Sequence, residues 1–183
     1  MISPEQAIVV SMALPTIVGV LVALLHNHEK LRDAVMVGLA FTVFPIVVGG
    51  LWPAVTAGQR PRVDVLEMFP GLSLSFEVEP LGLLFAMVAS GLWPITAIYG
   101  LGYLRGHHDH HQTRFFTFFS AAISAALGIA YAGNLLTLFV FYELLTFSTF
   151  PLVTHYQDDV AKRAGRIYLG ILVGTSVCFL LLA

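Results

Sequence analysis

The sequence predicts an all-α integral membrane protein with six transmembrane helices and an outward-facing β-hairpin between the second and third helices. Of its 183 residues, 57% are apolar and only 11% are charged, whereas a soluble domain carries about 25% charged residues. Six apolar stretches are long enough to cross a hydrocarbon core, which takes about 20 helical residues. This composition excludes an ordinary soluble enzyme, a disordered chain and a nucleic-acid-binding protein with a basic surface.

The six stretches are predicted to be helices because backbone groups in lipid must be paired within a helix or a closed barrel. Barrel strands alternate apolar and polar residues, and runs such as Ile8-Val9-Val10 do not. The first stretch has no basic residues before it and carries Glu5 ahead of its apolar run, so we expect a retained helix rather than a cleaved secretory signal. The predicted spans are residues 4–25, 33–52, 80–104, 113–132, 134–154 and 160–182.

The segment 53–79 is the part of the chain that looks soluble. Residues 72–79 alternate apolar and polar side chains, which is typical of a strand, and residues 63–65 could pair with them. An irregular loop is the alternative. We expect two regions: residues 1–112 hold the first three helices and the extramembrane hairpin, and residues 113–183 hold the last three.

The distribution of Lys and Arg predicts the orientation of the chain in the membrane, since cytoplasmic loops carry the excess of these residues. We expect a multi-pass protein of the cell (inner) membrane with both termini and the hairpin outside. The cytoplasmic set is Lys30, Arg32, Arg105, Arg114, Lys162, Arg163 and Arg166, against Arg60 and Arg62 on the other side.

Glu143 is the residue that packing does not explain. It lies midway along the fifth predicted helix, in the run LFVFYELLTF, whereas the other ten acidic residues lie in loops or at helix ends. An ionised carboxylate at this depth costs at least several kcal/mol. The side chain is therefore either protonated or ionised beside a cation in a wet cavity. Because a proton converts one state into the other, Glu143 is a candidate proton relay. The alternative is a protonated side chain that only bridges two helices.

Other polar residues near this position are candidates for lining a water-filled path. Thr146 follows Glu143 by three residues and shares its helix face, and Tyr142, Ser148 and Thr149 add further hydroxyl groups. His155, about 18 Å along the axis at the cytoplasmic end, is a second candidate relay because imidazole titrates near neutrality. A plain interfacial histidine is the alternative.

The sequence predicts no metal site, no cofactor and no catalytic site of its own. Residues 107–111 read HHDHH, and imidazole and carboxylate groups both bind zinc. Consecutive side chains in a loop do not converge on one ion without a scaffold, so we expect a solvated or pH-sensitive loop. Motifs for phosphate binding, hydrolysis, haem and iron–sulfur clusters are absent from the sequence.

Three segments resemble the antiporter-like membrane subunits of respiratory complex I, membrane-bound hydrogenases and Mrp-type multisubunit Na+/H+ antiporters. Residues 76–85 (FEVEPLGLLF) resemble the start of that family's third helix. Residues 133–143 (GNLLTLFVFYE) are similar to its fifth helix, which also ends its aromatic run on a glutamate, and residues 164–169 (AGRIYL) resemble the start of its sixth. The resemblance extends over nearly the whole chain and corresponds to the N-terminal part of such a subunit.

This resemblance implies a proton-conducting path in which Glu143 pairs with a lysine on a broken seventh helix. The chain ends at Ala183, so we expect a fragment or a split subunit, with a Lys or Arg supplied to Glu143 by another membrane subunit.

The expected function is a proton relay within a multisubunit cation/proton antiporter or proton-pumping complex, redox-driven or not. Protons and Na+ are the candidate ions, lipid and other membrane subunits the partners. The alternative is a non-conducting anchor or scaffold of a redox complex.

Overall fold

The computed structural model describes residues 2–69, 71–107, 109 and 111–180 of the chain. The order of elements confirms the predicted helical fold with a hairpin after the second helix. The elements are α1 (Pro4–Leu24), α2 (Glu29–Thr56), β1 (Arg62–Phe69), β2 (Leu72–Glu77), α3 (Pro80–Gly106), α4 (Gln112–Ala130), α5 (Leu135–Val153) and α6 (Asp159–Phe179).

Five of the six helices, α1 to α5, are long and apolar enough to cross a membrane. The described part of α6 differs because Lys162, Arg163 and Arg166 lie in its first turns. Long basic side chains at a helix end can reach the interface while the helix enters lipid. The predicted last residues of the sixth span, 181 and 182, lie outside the described residues.

The second helix is longer than the sequence prediction at both ends. It contains 28 residues, about 42 Å at 1.5 Å per residue, whereas the hydrocarbon core is about 30 Å thick. Its first turn contains Lys30 and Arg32. Because Lys and Arg both favour helix, the helix continues through this polar segment, which the prediction had left outside it. The extension to Thr56 shortens the connection that had been expected to begin at residue 53.

The β-hairpin is confirmed, and its second strand packs on the turn between α4 and α5. Backbone N–H of Gly133 donates to the Ser75 carbonyl (2.9 Å), and Ser75 N–H donates to Thr137 Oγ1 (3.0 Å). The buried Phe76 ring meets Phe141 of α5 edge-on, with ring centroids 5.3 Å apart. The hairpin therefore holds the start of α5 in place. Its register pairs Arg62 with Glu77, Val63 with Phe76 and Asp64 with Ser75.

The start of α5 is also fixed by its own N-cap. Asn134 accepts a hydrogen bond from Thr137 N–H through Oδ1 (2.8 Å) and donates through Nδ2 to the Ser73 carbonyl (2.7 Å). One side chain thus satisfies a free N–H of the first turn, as an N-cap does, and ties that turn to the hairpin.

Helix α4 is central to the bundle: it packs against α1, α3 and α5, while α2 lies against α1 and α3 and α6 lies against α5. The apolar core is therefore formed mainly by the first four helices and the hairpin. Its largest fully buried side chains are those of Trp93, Tyr131, Phe116, Ile8, Met36, Leu51 and Leu127.

At the end of the bundle away from the hairpin, the buried Arg32 and Asp33 join three helices. Arg32, only 3% exposed, donates to Asp33 Oδ1 (2.8 Å) and to Thr113 Oγ1 of α4 (2.7 Å). Arg105 at the end of α3 forms an ion pair with Asp33. Each charge has a partner, which a buried ion requires. The turns that join α1 to α2 and α3 to α4 therefore lie at one end of the bundle, and the hairpin lies at the other.

We expect Gly82→Ala to destabilise the bundle because a Cβ at Gly82 would lie 2.1 Å from the Ala130 carbonyl oxygen, a backbone atom that cannot rotate away. Overpacking of this kind costs about 1–3 kcal/mol. Gly102→Ala on the same helix is the control, since nothing lies within 4 Å of its Cβ position. Thermal unfolding in detergent micelles compares the two variants; equal midpoints would show that α3 and α4 do not approach closely here.

Candidate functional site

Glu143 is the ninth of the 19 residues of α5, so about 12 Å of helix separates it from the nearer helix end. Its side chain is half-buried. The hydroxyl of Ser176 on α6 donates a hydrogen bond to Glu143 Oε1. Oε2 is buried and has no hydrogen-bond partner, and no salt bridge to Glu143 is found within the described ranges. One oxygen of the carboxyl group is thus compensated and the other is not.

Two of the four predicted lining residues are hydrogen-bonded to their own helix. Ser148 donates to the Leu145 carbonyl (2.9 Å), and Thr149 donates to the same carbonyl (3.0 Å). Local bonds of this type satisfy the hydroxyl hydrogens without water, so Ser148 and Thr149 offer mainly acceptor positions. Thr146 is buried and Tyr142 is half-buried.

The face of α6 that meets α5 is defined by residues at helical spacing, and we call the contact between these two helices the α5–α6 seam. A Cβ at Gly165 would lie 2.2 Å from Thr154 Cγ2, so the helices approach closely there. Tyr168 Oη lies 3.1 Å from Thr149 Oγ1. Ser176 follows Gly165 by eleven residues, close to three turns of 3.6 residues, which brings its hydroxyl to Glu143 on the same seam.

His155 lies in the turn between α5 and α6 and is only 8% exposed. Its Nε2 is 3.1 Å from Asp109 Oδ1 of the α3–α4 connection, and its carbonyl accepts from Arg114 Nη2 (2.6 Å). The ring meets Phe115 edge-on with centroids 5.7 Å apart. When the imidazole is protonated this contact is an ion pair between two loops. The structure does not bring His155 to Glu143; about 18 Å of helix separates them.

Sequence reasoning missed two contacts of the predicted residues, Ser176 with Glu143 and Asp109 with His155. The eleven-residue interval from Gly165 to Ser176 was the available signal for the first contact, since it places a small residue and a hydroxyl on one helix face. The second contact joins residues 46 positions apart and leaves no local pattern.

Within the described ranges, no group of three or more His, Cys, Asp or Glu side chains is arranged to hold a metal ion. Two histidines of the HHDHH run, His108 and His110, lie outside those ranges. The loop's expected solvated character therefore stays a prediction.

Comparison with known proteins adds an independent observation. Na+/H+ antiporter subunit A1 of Staphylococcus aureus strain JH9 is 24% identical over 161 residues, which cover 85% of this chain. The same subunit of strain bovine RF122 / ET3-1 is 27% identical over 112 residues, 60% of the chain. The chain is thus a distant relative of this antiporter subunit, which confirms the predicted resemblance at the level of the chain. No protein-family model matches the chain.

The relatives are much longer than this chain. It spans 20% of the strain JH9 subunit and 14% of the strain bovine RF122 / ET3-1 subunit. A solved structure of the membrane-bound sulfane sulfur reductase, an archaeal respiratory membrane complex, contains a chain with the same fold: the TM-score is 0.76 at 18% identity, covering 90% of this chain and 33% of that one. The molecule is thus a multi-pass membrane protein that shares its fold with part of that chain.

We expect the contact between His155 and Asp109 to stabilise the fold, because it joins the α5–α6 turn to the α3–α4 connection. In a double-mutant cycle of His155→Ala and Asp109→Ala, the coupling free energy should be about 0.5–1.5 kcal/mol. Unfolding in detergent, followed by circular dichroism, measures it. A cycle of His107→Ala and Asp109→Ala is the control and should give no coupling, because the exposed His107 imidazole contacts the Tyr103 carbonyl instead. A coupling free energy of zero between His155 and Asp109 would contradict the contact.

Proposed function

We propose that the chain contributes a proton relay, centred on Glu143, to a multisubunit cation/proton antiporter or proton-pumping complex of the cell membrane. The relatedness to Na+/H+ antiporter subunit A1 and the fold shared with a respiratory membrane complex support this setting. The observation that carries the proposal is the buried Oε2 of Glu143 at mid-helix, which has no hydrogen-bond partner in the part of the chain that the structure describes.

The electrostatics of this carboxyl group give the relay its mechanism. A single hydroxyl donor from Ser176 does not offset the several kcal/mol needed to hold an ionised carboxylate among apolar helices. The group is therefore neutral, or it is ionised beside a cation from outside the described residues. Protonation of Glu143 releases that cation, and the return of the cation expels the proton. Each binding event therefore weakens the other by the same free energy. We assign the cation to a Lys or Arg of another membrane subunit or segment.

We further propose that residues 113–183 form the first part of a proton-conducting repeat with its uptake site at His155. The imidazole lies at the end of the bundle where basic residues collect, beside Asp109, and a neutral ring nitrogen can accept a proton from solvent. Water would have to connect it with Glu143 past Thr149, Ser148 and Thr146, and Tyr142 is adjacent to Glu143 on the far side of this path. Protons are the transported species, and Na+ is the candidate for exchange.

We expect Glu143→Gln to abolish coupled ion transport and to leave assembly intact, because the amide has nearly the same shape and cannot exchange a proton. Transport is measured as pH-gradient formation in membrane vesicles that contain the complete complex, and assembly by native gel. Glu5→Gln, at an exposed first-turn carboxylate of α1, is the matched control and should transport normally.

The alternative function, a non-conducting anchor or scaffold of a redox complex, makes the opposite prediction. Transport equal to that of Glu5→Gln, with the complex assembled, would reject the relay and leave the scaffold role.

The orientation follows from the same proposal: the end with Arg32, Arg105 and Arg114 is cytoplasmic, and both termini are outside. In a Cys178→Ala background, we expect Gln59→Cys near the hairpin to react with a membrane-impermeant maleimide in intact cells. Asn27→Cys in the α1–α2 turn should react only after permeabilisation. Both positions are exposed. The reverse pattern would invert the topology.

A further inference from the structure

Ser176 is the described polar side chain that contacts Glu143 across the α5–α6 seam. It is 3% exposed. Its Oγ is hydrogen-bonded to Glu143 Oε1 and lies 3.0 Å from the carbonyl oxygen of Val173 on its own helix. The hydroxyl therefore has two acceptors within reach and one hydrogen to give.

The single hydrogen of the Ser176 hydroxyl makes this geometry compatible with both the ionised and the protonated form of Glu143. When Glu143 is ionised, the Ser176 O–H donates to the carboxylate. When Glu143 is protonated, the carboxylic O–H donates to Ser176 Oγ, and the serine hydrogen turns to the Val173 carbonyl. In each state a hydrogen bond joins Glu143 to Ser176, and only the hydroxyl rotor has to move.

We propose that Ser176 is a positioning residue for Glu143: a rotatable hydroxyl that remains hydrogen-bonded to the carboxyl group whether or not the proton is present. This inference deepens the relay proposal and rests on it for its role in transport, but the hydrogen bond itself does not depend on transport. A permanent partner holds the side chain in one place while its charge changes, as repeated proton exchange requires.

Among the described residues, we assign this role to Ser176 after considering the charged and titratable groups on the neighbouring helices. On α5, Tyr142 is adjacent to Glu143 in sequence. On α6, Tyr168 is bonded to Thr149 and Cys178 is exposed. On α4, Arg114 lies at the far end, bonded to the His155 carbonyl.

The test uses a reagent that distinguishes the two states of the carboxyl group. Dicyclohexylcarbodiimide is apolar and reacts with protonated carboxyl groups, so labelling of Glu143 falls as the pH rises. The complete complex in membrane vesicles is treated at a series of pH values, and the modified peptide is quantified by mass spectrometry. In Ser176→Ala both forms lose their hydrogen bond to Ser176, but the charge-assisted bond of the ionised form is the stronger one, so the labelling midpoint should move upward by about half to one pH unit.

Two further variants separate this role from a structural one. Ser176→Thr keeps a hydroxyl at the same position and should restore the original midpoint. Thr175→Ala removes an exposed neighbouring hydroxyl that bonds to the Ile171 and Leu172 carbonyls, and should leave the midpoint unchanged. All three substitutions are small, and native gels establish that the complex has assembled.

The proposal is overturned if Ser176→Ala and Thr175→Ala give the same midpoint, or if the assembled wild-type complex is not labelled at Glu143 at any pH. It is supported by an upward shift in Ser176→Ala that Ser176→Thr reverses. This result is independent of the transport assay on Glu143→Gln: a shifted midpoint with unchanged transport would keep Ser176 as the partner of Glu143 and reject the relay.

Discussion

The absence of water in a hydrocarbon core constrains every polar group in the membrane-spanning helices of this chain. Backbone groups are paired within long helices, and the non-helical segments with polar side chains lie at the two ends of the bundle. Where charges are buried, as at Arg32 and Asp33, each has an opposite charge or a hydroxyl beside it. Glu143 is an exception because one of its carboxyl oxygens is buried without a hydrogen-bond partner among the described residues, as are atoms of four other side chains. Among these five side chains, Glu143 is the carboxyl group at the middle of an apolar helix, a position where an acidic residue is typical of a functional site.

Helix α5 is held from both ends, which explains how a single carboxyl group can keep a defined position. At one end, Asn134 and Phe141 join it to the hairpin. At the other, the backbone of His155 is bonded to Arg114 of α4. Between these anchors, α5 contacts α4 on one side and α6 on another. The carboxyl group is therefore carried on a helix that is fixed at both ends, and in the proposed relay only the proton moves.

Much of the architecture could be predicted from hydropathy and the lipid constraint alone. The helices, the hairpin and the unusual position of Glu143 follow from the order of apolar and polar residues, because lipid restricts the structures that such runs can adopt. The full length of α2 could not be predicted from the order of apolar and polar residues, because Glu29, Lys30 and Arg32 are polar and still helical. The partners Ser176 and Asp109 did not follow either, because their contacts depend on how helices distant in sequence pack together.

The attachment of the hairpin to the α4–α5 turn has a consequence for biogenesis. Strand β2 precedes the turn in the chain, with about sixty residues between Ser75 and Thr137, so during synthesis it reaches its side of the bilayer before α5 is made. The newly inserted α5 then meets a strand that already offers hydrogen-bonding groups to the turn before it and to Thr137. Capture by this strand would seat the glutamate-bearing helix at its correct depth at the moment of insertion.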